Sequence, residues 1–360
     1  MQRLARDRSR RLGVISCRPA PRQPWRSRGW PRVLILVLSL GIALGARGAR
    51  ADDEPPVQAA RLLERMTTAL RTLDYQGTLV YLIDNRLETL YLTHRIAQGR
   101  VQERLVSLSG PVRTLDRERD RVTCLLPDAQ PLSVARHAVH PLAATGPIDP
   151  VALAGRYHIE VRGAARVAGR DASVLMIRPR DQLRYGYQFY LDRATGLPLK
   201  SDLIDARGET IEQLLFTSID LGSEPSSAAQ AAAVQAAAEQ GSAARSAGAP
   251  QAPPHSPPGP TRWRFDGRPP GFELAAHDLM EDGRGAVVEH FVFSDQLSSY
   301  SLFIESGAAD GLRGGTRIGA VHAAGGLVNG HQVTAVGEVP AATVAAAVAG
   351  LGWAEDGAPP

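Results

Sequence analysis

His137 and His140 stand three residues apart, a step that on a helix brings two imidazoles to one face, where they could share a metal ion. Pro141 follows at once and the segment supplies no third ligand, so the pair reads as part of a loop and no metal site is assigned. The sequence contains no G-x-S-x-G, H-E-x-x-H or C-x-x-C, and its one lysine, Lys200, is not part of a phosphate-binding loop. Asp202, Asp205, Glu209 and Glu212 are spaced as on the solvated face of a strand rather than as a facing pair for acid–base work. Cys124 sits inside the apolar run Val122 to Leu126 and reads as a small buried hydrophobe. These patterns predict neither an enzyme nor a cofactor. What remains is binding chemistry, carried by apolar faces and by arginines suited to bidentate contact with carboxylates and phosphates.

The elements that would position such faces centre on Arg184 to Leu215. Two strand-forming runs flank the turn Asp192 to Gly196, and a second turn at Asp205 to Gly208 leads into a third run, Glu209 to Ile219. By the period-2 rule Tyr185, Tyr187, Phe189 and Leu191 share one face, and Gly186, Gln188 and Tyr190 the other. Pro198 follows the turn, where a missing N–H is tolerated at a strand start. Upstream, Ala59, Leu63, Met66, Leu70 and Leu73 recur at steps of three and four and predict an amphipathic helix from Val57 to Leu73. Short runs then predict strands at Thr78 to Ile83, Glu88 to Ile96, Arg100 to Leu108, Arg113 to Asp116 and Arg121 to Leu126. Further strands are expected at Tyr157 to Val167 and Ala172 to Arg178. The short turns between neighbours require antiparallel pairing. Pro131 to Gly155 has no clear period and reads as loop with a short helix.

The ends of the chain differ in kind. Residues 1–51 hold 12 arginines, one acid and the apolar run Val33 to Leu44, with Ala49 and Ala51 placed for cleavage before Asp52. That is the pattern of a secretory signal peptide; the run falls short of the roughly 18 apolar residues that a membrane span wants. Without it the formal charge changes from +4 to −7, since 29 basic and 36 acidic residues remain, so the basic pI belongs to the leader and no nucleic-acid partner is implied. Residues 223–260 are rich in alanine, serine and proline and cannot bury enough apolar area to offset their ordering entropy, which predicts a disordered linker between 52–222 and 261–354. Residues 355–360 form a short tail. The second unit opens on Trp263 and Phe265, and strands are expected at Ala286 to Phe293, Ser299 to Glu305, Gly314 to His322 and His331 to Val336, then a helix after Pro340.

Particular residues then resemble a known family. Arg184-Tyr185-x-Tyr187, Leu191-Asp192, Gly196-Leu197-Pro198-Leu199, Asp202-Leu203 and Gly208-Glu209-Thr210-x-Glu212-Gln213 are similar to the RseB/MucB family of periplasmic sigma-E-type stress regulators. Ser109-Gly110-Pro111 with Arg113, Pro270-Gly271-Phe272, and Val336-Gly337-Glu338-Val339-Pro340 extend the likeness over nearly all of residues 52–360. The linker looks longer here, and Gly307 to Gly330 is glycine-rich. The resemblance implies an α+β protein. Its larger domain would be a curved antiparallel sheet, a half-barrel with helices, similar to lipoprotein carriers of the LolA/LppX type. A small antiparallel sheet domain with one C-terminal helix would follow. It also implies a periplasmic regulator that binds the periplasmic domain of a transmembrane anti-sigma factor of the RseA/MucA type, shields it from proteolysis, and is released by lipid or lipopolysaccharide.

Candidate residues follow. Leu90, Leu92, Tyr187, Phe189 and Leu191 offer an apolar face that either holds acyl chains or packs on the Val57 to Leu73 helix. Arg113 and Arg184 are candidate rim arginines for lipid phosphates. Phe291, Phe293, Tyr300, Leu302 and Phe303 place aromatics on both faces of a hairpin, one face core and the other a candidate partner surface, and Phe272 is a further partner-binding candidate. The alternative is a periplasmic lipid or lipoprotein carrier that needs only the first domain. The sequence leaves the oligomeric state, a homo-oligomer included, open.

Overall fold

The computed structural model describes residues 55–109, 114–118, 121–125, 132–135, 148–222, 261–281, 287–307 and 311–354. The first lobe opens with helix α1 (Pro55–Thr72) and the strands β1 (Tyr75–Ile83), β2 (Arg86–Ala97), β3 (Arg100–Ser107), β4 (Thr114–Glu118), β5 (Arg121–Leu125) and β6 (Leu132–Ala135). After the short helix α2 (Pro150–Ala154) come β7 (Tyr157–Val167), β8 (Arg170–Pro179), β9 (Gly186–Asp192), β10 (Pro198–Ile204) and β11 (Thr210–Leu221). These strands form one open, curved antiparallel sheet in the order β6-β5-β4-β3-β2-β1-β11-β10-β9-β8-β7. Every neighbouring pair in it is consecutive in the chain except β1–β11, whose pairing from Tyr75↔Leu221 to Ile83↔Glu212 joins the two ends of the lobe.

The second lobe contains β12 (Trp263–Arg264), β13 (Glu273–Glu281), β14 (Val287–Ser294), β15 (Ser299–Ser306), β16 (Gly314–Ile318), β17 (Val321–Val328), β18 (His331–Gly337), α3 (Ala341–Ala349) and β19 (Gly352–Trp353). Six of these strands form a sheet in the order β13-β14-β15-β18-β17-β16, and β12 pairs with β19. Helix α3 packs against β17, β18 and β15, and its Val344 and Ala347 share one buried core with Leu302 and Ala335.

Two expectations need correcting. The run Gly314 to His322 is a hairpin rather than one strand, because Gly319, at φ +58°, lets the chain reverse between Ile318 and Val321. Leu132–Ala135, read as loop, is instead an edge strand on β5.

Helix α1 forms as its stripe requires. Ala59, Leu63, Met66, Ala69 and Leu70 are all buried against the sheet, while Arg61, Glu64 and Arg65 face outward. Its outer side also grips the β9–β10 turn, where Arg65 donates to the carbonyls of Arg193 (2.9 Å) and Ala194 (3.3 Å). Gly196 in that turn sits at φ +83°, and a Cβ there would lie 3.0 Å from the Cβ and carbonyl oxygen of Arg65. Gly196→Ala is therefore expected to cost about 1–3 kcal/mol through backbone strain and lost helix contact, read as a lower urea midpoint at unchanged slope.

Candidate functional site

Three places hold the residues singled out above: the face beneath α1, the seam between the lobes, and the β14–β15 hairpin. On the first, the alternation along β9 puts Tyr187, Phe189 and Leu191 in the core, with Phe189 0% exposed. Leu90, Leu175, Leu203 and Phe216 join them, Leu92 packs at the margin, and α1 closes the layer with Leu63 and Met66. Tyr187 and Phe189 stack at 5.5 Å between ring centroids. Here this face packs together with the α1 residues Leu63 and Met66 in one core. Arg113 lies outside the described residues, as do His137 and His140.

Arg184 is not a rim residue. It is 1% exposed, lies two residues before the start of β9, and is bound by Asp295 and Pro270 of lobe 2. Its Nη1 donates to Asp295 Oδ2 at 2.6 Å, its Nη2 to the carbonyl of Pro270 at 2.6 Å, and its Nε to Asp181 at 3.1 Å. The guanidinium lies 4.9 Å from the Phe272 ring and 5.8 Å from that of Tyr157. Tyr157 donates its hydroxyl to the same Asp295 oxygen at 2.8 Å. The other Asp295 oxygen accepts from the backbone of Leu297 and Ser298, so the β14–β15 turn is built around this carboxylate. Burial opposes the charge on Arg184, but Asp295, Tyr157 and Asp181 outweigh it and hold its pKa above the ordinary value. Burial, followed by the Asp295 charge, pushes the Tyr157 hydroxyl well above its usual range, so it stays a donor.

At the other end of the seam the β16–β17 tip inserts into lobe 1. Ala320 joins the lobe 1 core, its N–H donating to Glu212 Oε1 at 2.8 Å, while Gly319 N–H donates to Asp84 at 3.0 Å. Tyr81 donates to the second Glu212 oxygen. Between the two ends, Tyr187 donates to Glu338 at 3.1 Å, and Thr343 of α3 donates to the carbonyl of Leu183. Burial raises the Tyr187 pKa well above its usual value, with Glu338 adding to the effect. Two of the acids read as solvated are thus buried: Asp202 is 4% and Glu212 3% exposed. Desolvation lifts the Asp202 pKa against the pull of Lys200 at 3.1 Å.

On the third place, Phe272, Phe291, Phe293, Tyr300 and Leu302 are all buried in the lobe 2 core, so they are not a surface. Phe303 alone of the six lies on the other face, half-buried and stacked on His290 at 4.4 Å. Period-2 reading gives that split but cannot say which residues the second face would meet. Asp295, Tyr157, Glu212 and Glu338 were missed as functional positions. In sequence Asp295 only lies between two expected strands, where the backbone N–H groups of Leu297 and Ser298 satisfy one of its oxygens; the oxygen that bridges lobes leaves no local signal.

Among the described residues no cluster of histidine, cysteine and acids is arranged to hold a metal, and no helix is long and apolar enough to cross a membrane. Comparison with known proteins places the chain. Residues 58–238 match the MucB/RseB N-terminal domain and residues 257–352 the MucB/RseB C-terminal domain. The sigma factor AlgU regulatory protein MucB of Pseudomonas aeruginosa is 33% identical over 330 residues, 87% of this chain and 95% of that protein. The sigma-E factor regulatory protein RseB of Salmonella typhimurium is 26% identical over 82% of this chain and 90% of its own. Among solved structures, the MucA/MucB complex of Pseudomonas aeruginosa has a chain 29% identical that superposes with a TM-score of 0.60, covering 83% of this chain and 99% of that one. The chain belongs to the MucB/RseB family.

Proposed function

We propose that this protein is a periplasmic negative regulator of an extracytoplasmic sigma factor, exported by a signal peptide cleaved after Ala51. It binds the periplasmic segment of a transmembrane anti-sigma factor, denies that segment to proteases, and lets go when lipid or lipopolysaccharide binds. The observation that carries this reading is the likeness, over both lobes, to a MucB chain solved together with MucA. The physical picture is a population shift. Lipid reaching the face under α1 favours an arrangement that holds the partner less well.

A pull-down from periplasmic extract with the chain from Asp52 onward is expected to recover one transmembrane anti-sigma factor. Titrating its synthetic periplasmic segment with and without saturating lipopolysaccharide should show a weaker affinity with lipid, and by linkage the partner must weaken lipid binding by the same factor. Independent affinities would remove the switch and leave a shield; no recovered anti-sigma factor would sink the reading. Recovery of lipid without a protein partner would favour the carrier.

A further inference from the structure

The seam between the lobes combines buried charge with apolar contact, Leu297 and Ala320 of lobe 2 packing into the lobe 1 core. At one end the Arg184–Asp295 pair is sealed on both sides, at 1% and 0% side-chain exposure, with Tyr157, Pro270 and Phe272 as its walls. Gly271, at φ +79°, brings the backbone so close that a Cβ there would stand 2.6 Å from Arg156 Nε and 3.3 Å from Arg184 Nη1. At the other end the contact is two backbone N–H groups received by Glu212 and Asp84.

A buried ion pair adds little net stability, because its desolvation nearly cancels its attraction, yet it is steep in geometry. Partial separation strands both charges, whereas full separation returns them to water. Such a contact has two stable positions and no comfortable middle. Arg184 also stands where movement would arrive. It lies two residues before Gly186, the start of β9, and β9 carries Tyr187 and Phe189 beneath α1. Leu183, its neighbour, is tied to α3 of lobe 2 through Thr343.

We propose that Arg184 and Asp295 form a releasable latch that keeps lobe 2 seated on lobe 1, and that the latch carries the coupling between a ligand under α1 and a partner held by the protein. The coupling half rests on the function proposed above; the latch itself does not.

The test uses the chain from Asp52 onward. Asp295→Asn keeps an oxygen for the Leu297 and Ser298 amides and removes the charge that holds Arg184. Small-angle scattering should show a larger radius of gyration than wild type, with an unchanged far-ultraviolet spectrum. The double variant Arg184→Met, Asp295→Asn, which removes both charges, should return to the compact form. An Asp295→Asn protein as compact as wild type overturns the latch. Should that variant fail to fold, the double variant decides: folded and compact supports the latch, expanded overturns it. For the coupling, the affinity for the anti-sigma segment is measured with and without lipopolysaccharide. A wild-type ratio of about tenfold should fall to within about twofold of one in Asp295→Asn. An Asp295→Asn ratio equal to wild type overturns the coupling. A wild-type ratio of one sinks the proposed switch while the scattering result still judges the latch.

Discussion

Leu63→Ala should lower the unfolding free energy by about 2–5 kcal/mol, the range for emptying a fully buried leucine site that collapses only partly. Leu63 is 0% exposed at the middle of the α1 stripe and meets the face formed by Leu90, Tyr187, Phe189 and Leu191. The consequence for binding has the opposite sign. If lipid reaches that face by displacing α1, the apparent affinity is the intrinsic one reduced by the fraction of molecules with the helix displaced. Weakening α1 raises that fraction, by about tenfold for each 1.4 kcal/mol that falls on the helix rather than on global unfolding. Leu63→Ala is therefore expected to be less stable in urea yet to take up lipopolysaccharide more tightly, while Val57→Ala, on the exposed side of the same helix, changes neither. Weaker or unchanged uptake by Leu63→Ala would place the lipid elsewhere.

That contrast shows what the sequence could and could not reveal. The stripe of α1, the turn at Asp192 to Gly196 and the shared face of Tyr185, Tyr187, Phe189 and Leu191 are local patterns, and all appear as the periods require. Pro198 does begin β10, the one place in a central strand where its missing N–H costs little. The pairing of β1 with β11 joins residues 129 to 146 positions apart, from Ile83↔Glu212 to Tyr75↔Leu221, and no local signal fixes such a register. Charged residues were the larger loss. Arg184, Asp202 and Glu212 look like solvated positions because a charge is buried only when a distant group receives it, as Asp295 receives Arg184 across 111 residues. Periodicity likewise placed Phe303 opposite Phe291 and Phe293, yet it could not tell a packed aromatic from one that awaits a partner.

Asp192→Ala should destabilise the protein by about 2–4 kcal/mol. Its carboxylate is buried and takes both ends of Arg170, at 3.0 Å each, together with the backbone N–H and hydroxyl of Thr195 at 3.0 and 2.7 Å. Removing one partner of a fully sealed pair costs roughly 3–5 kcal/mol. Arg170 is 31% exposed, so the orphaned guanidinium keeps some water and the cost falls below the top of that range. The lost turn bonds add to it, since this turn is what Arg65 of α1 holds. The pH dependence has a definite sign. Burial works to raise the Asp192 pKa, but Arg170 and Thr195 outweigh it and hold the carboxyl below its ordinary value. The folded state therefore binds this proton less readily than the unfolded chain, whose carboxyl titrates near about 3.9. The stabilisation is complete above that pH and is lost as pH falls through the lower, folded value. Urea melts of wild type and Asp192→Asn should differ by a constant amount from about pH 7 to pH 5 and converge below about pH 4. A gap that persists undiminished into acid would mean that the turn depends on the shape of the side chain and not on its charge.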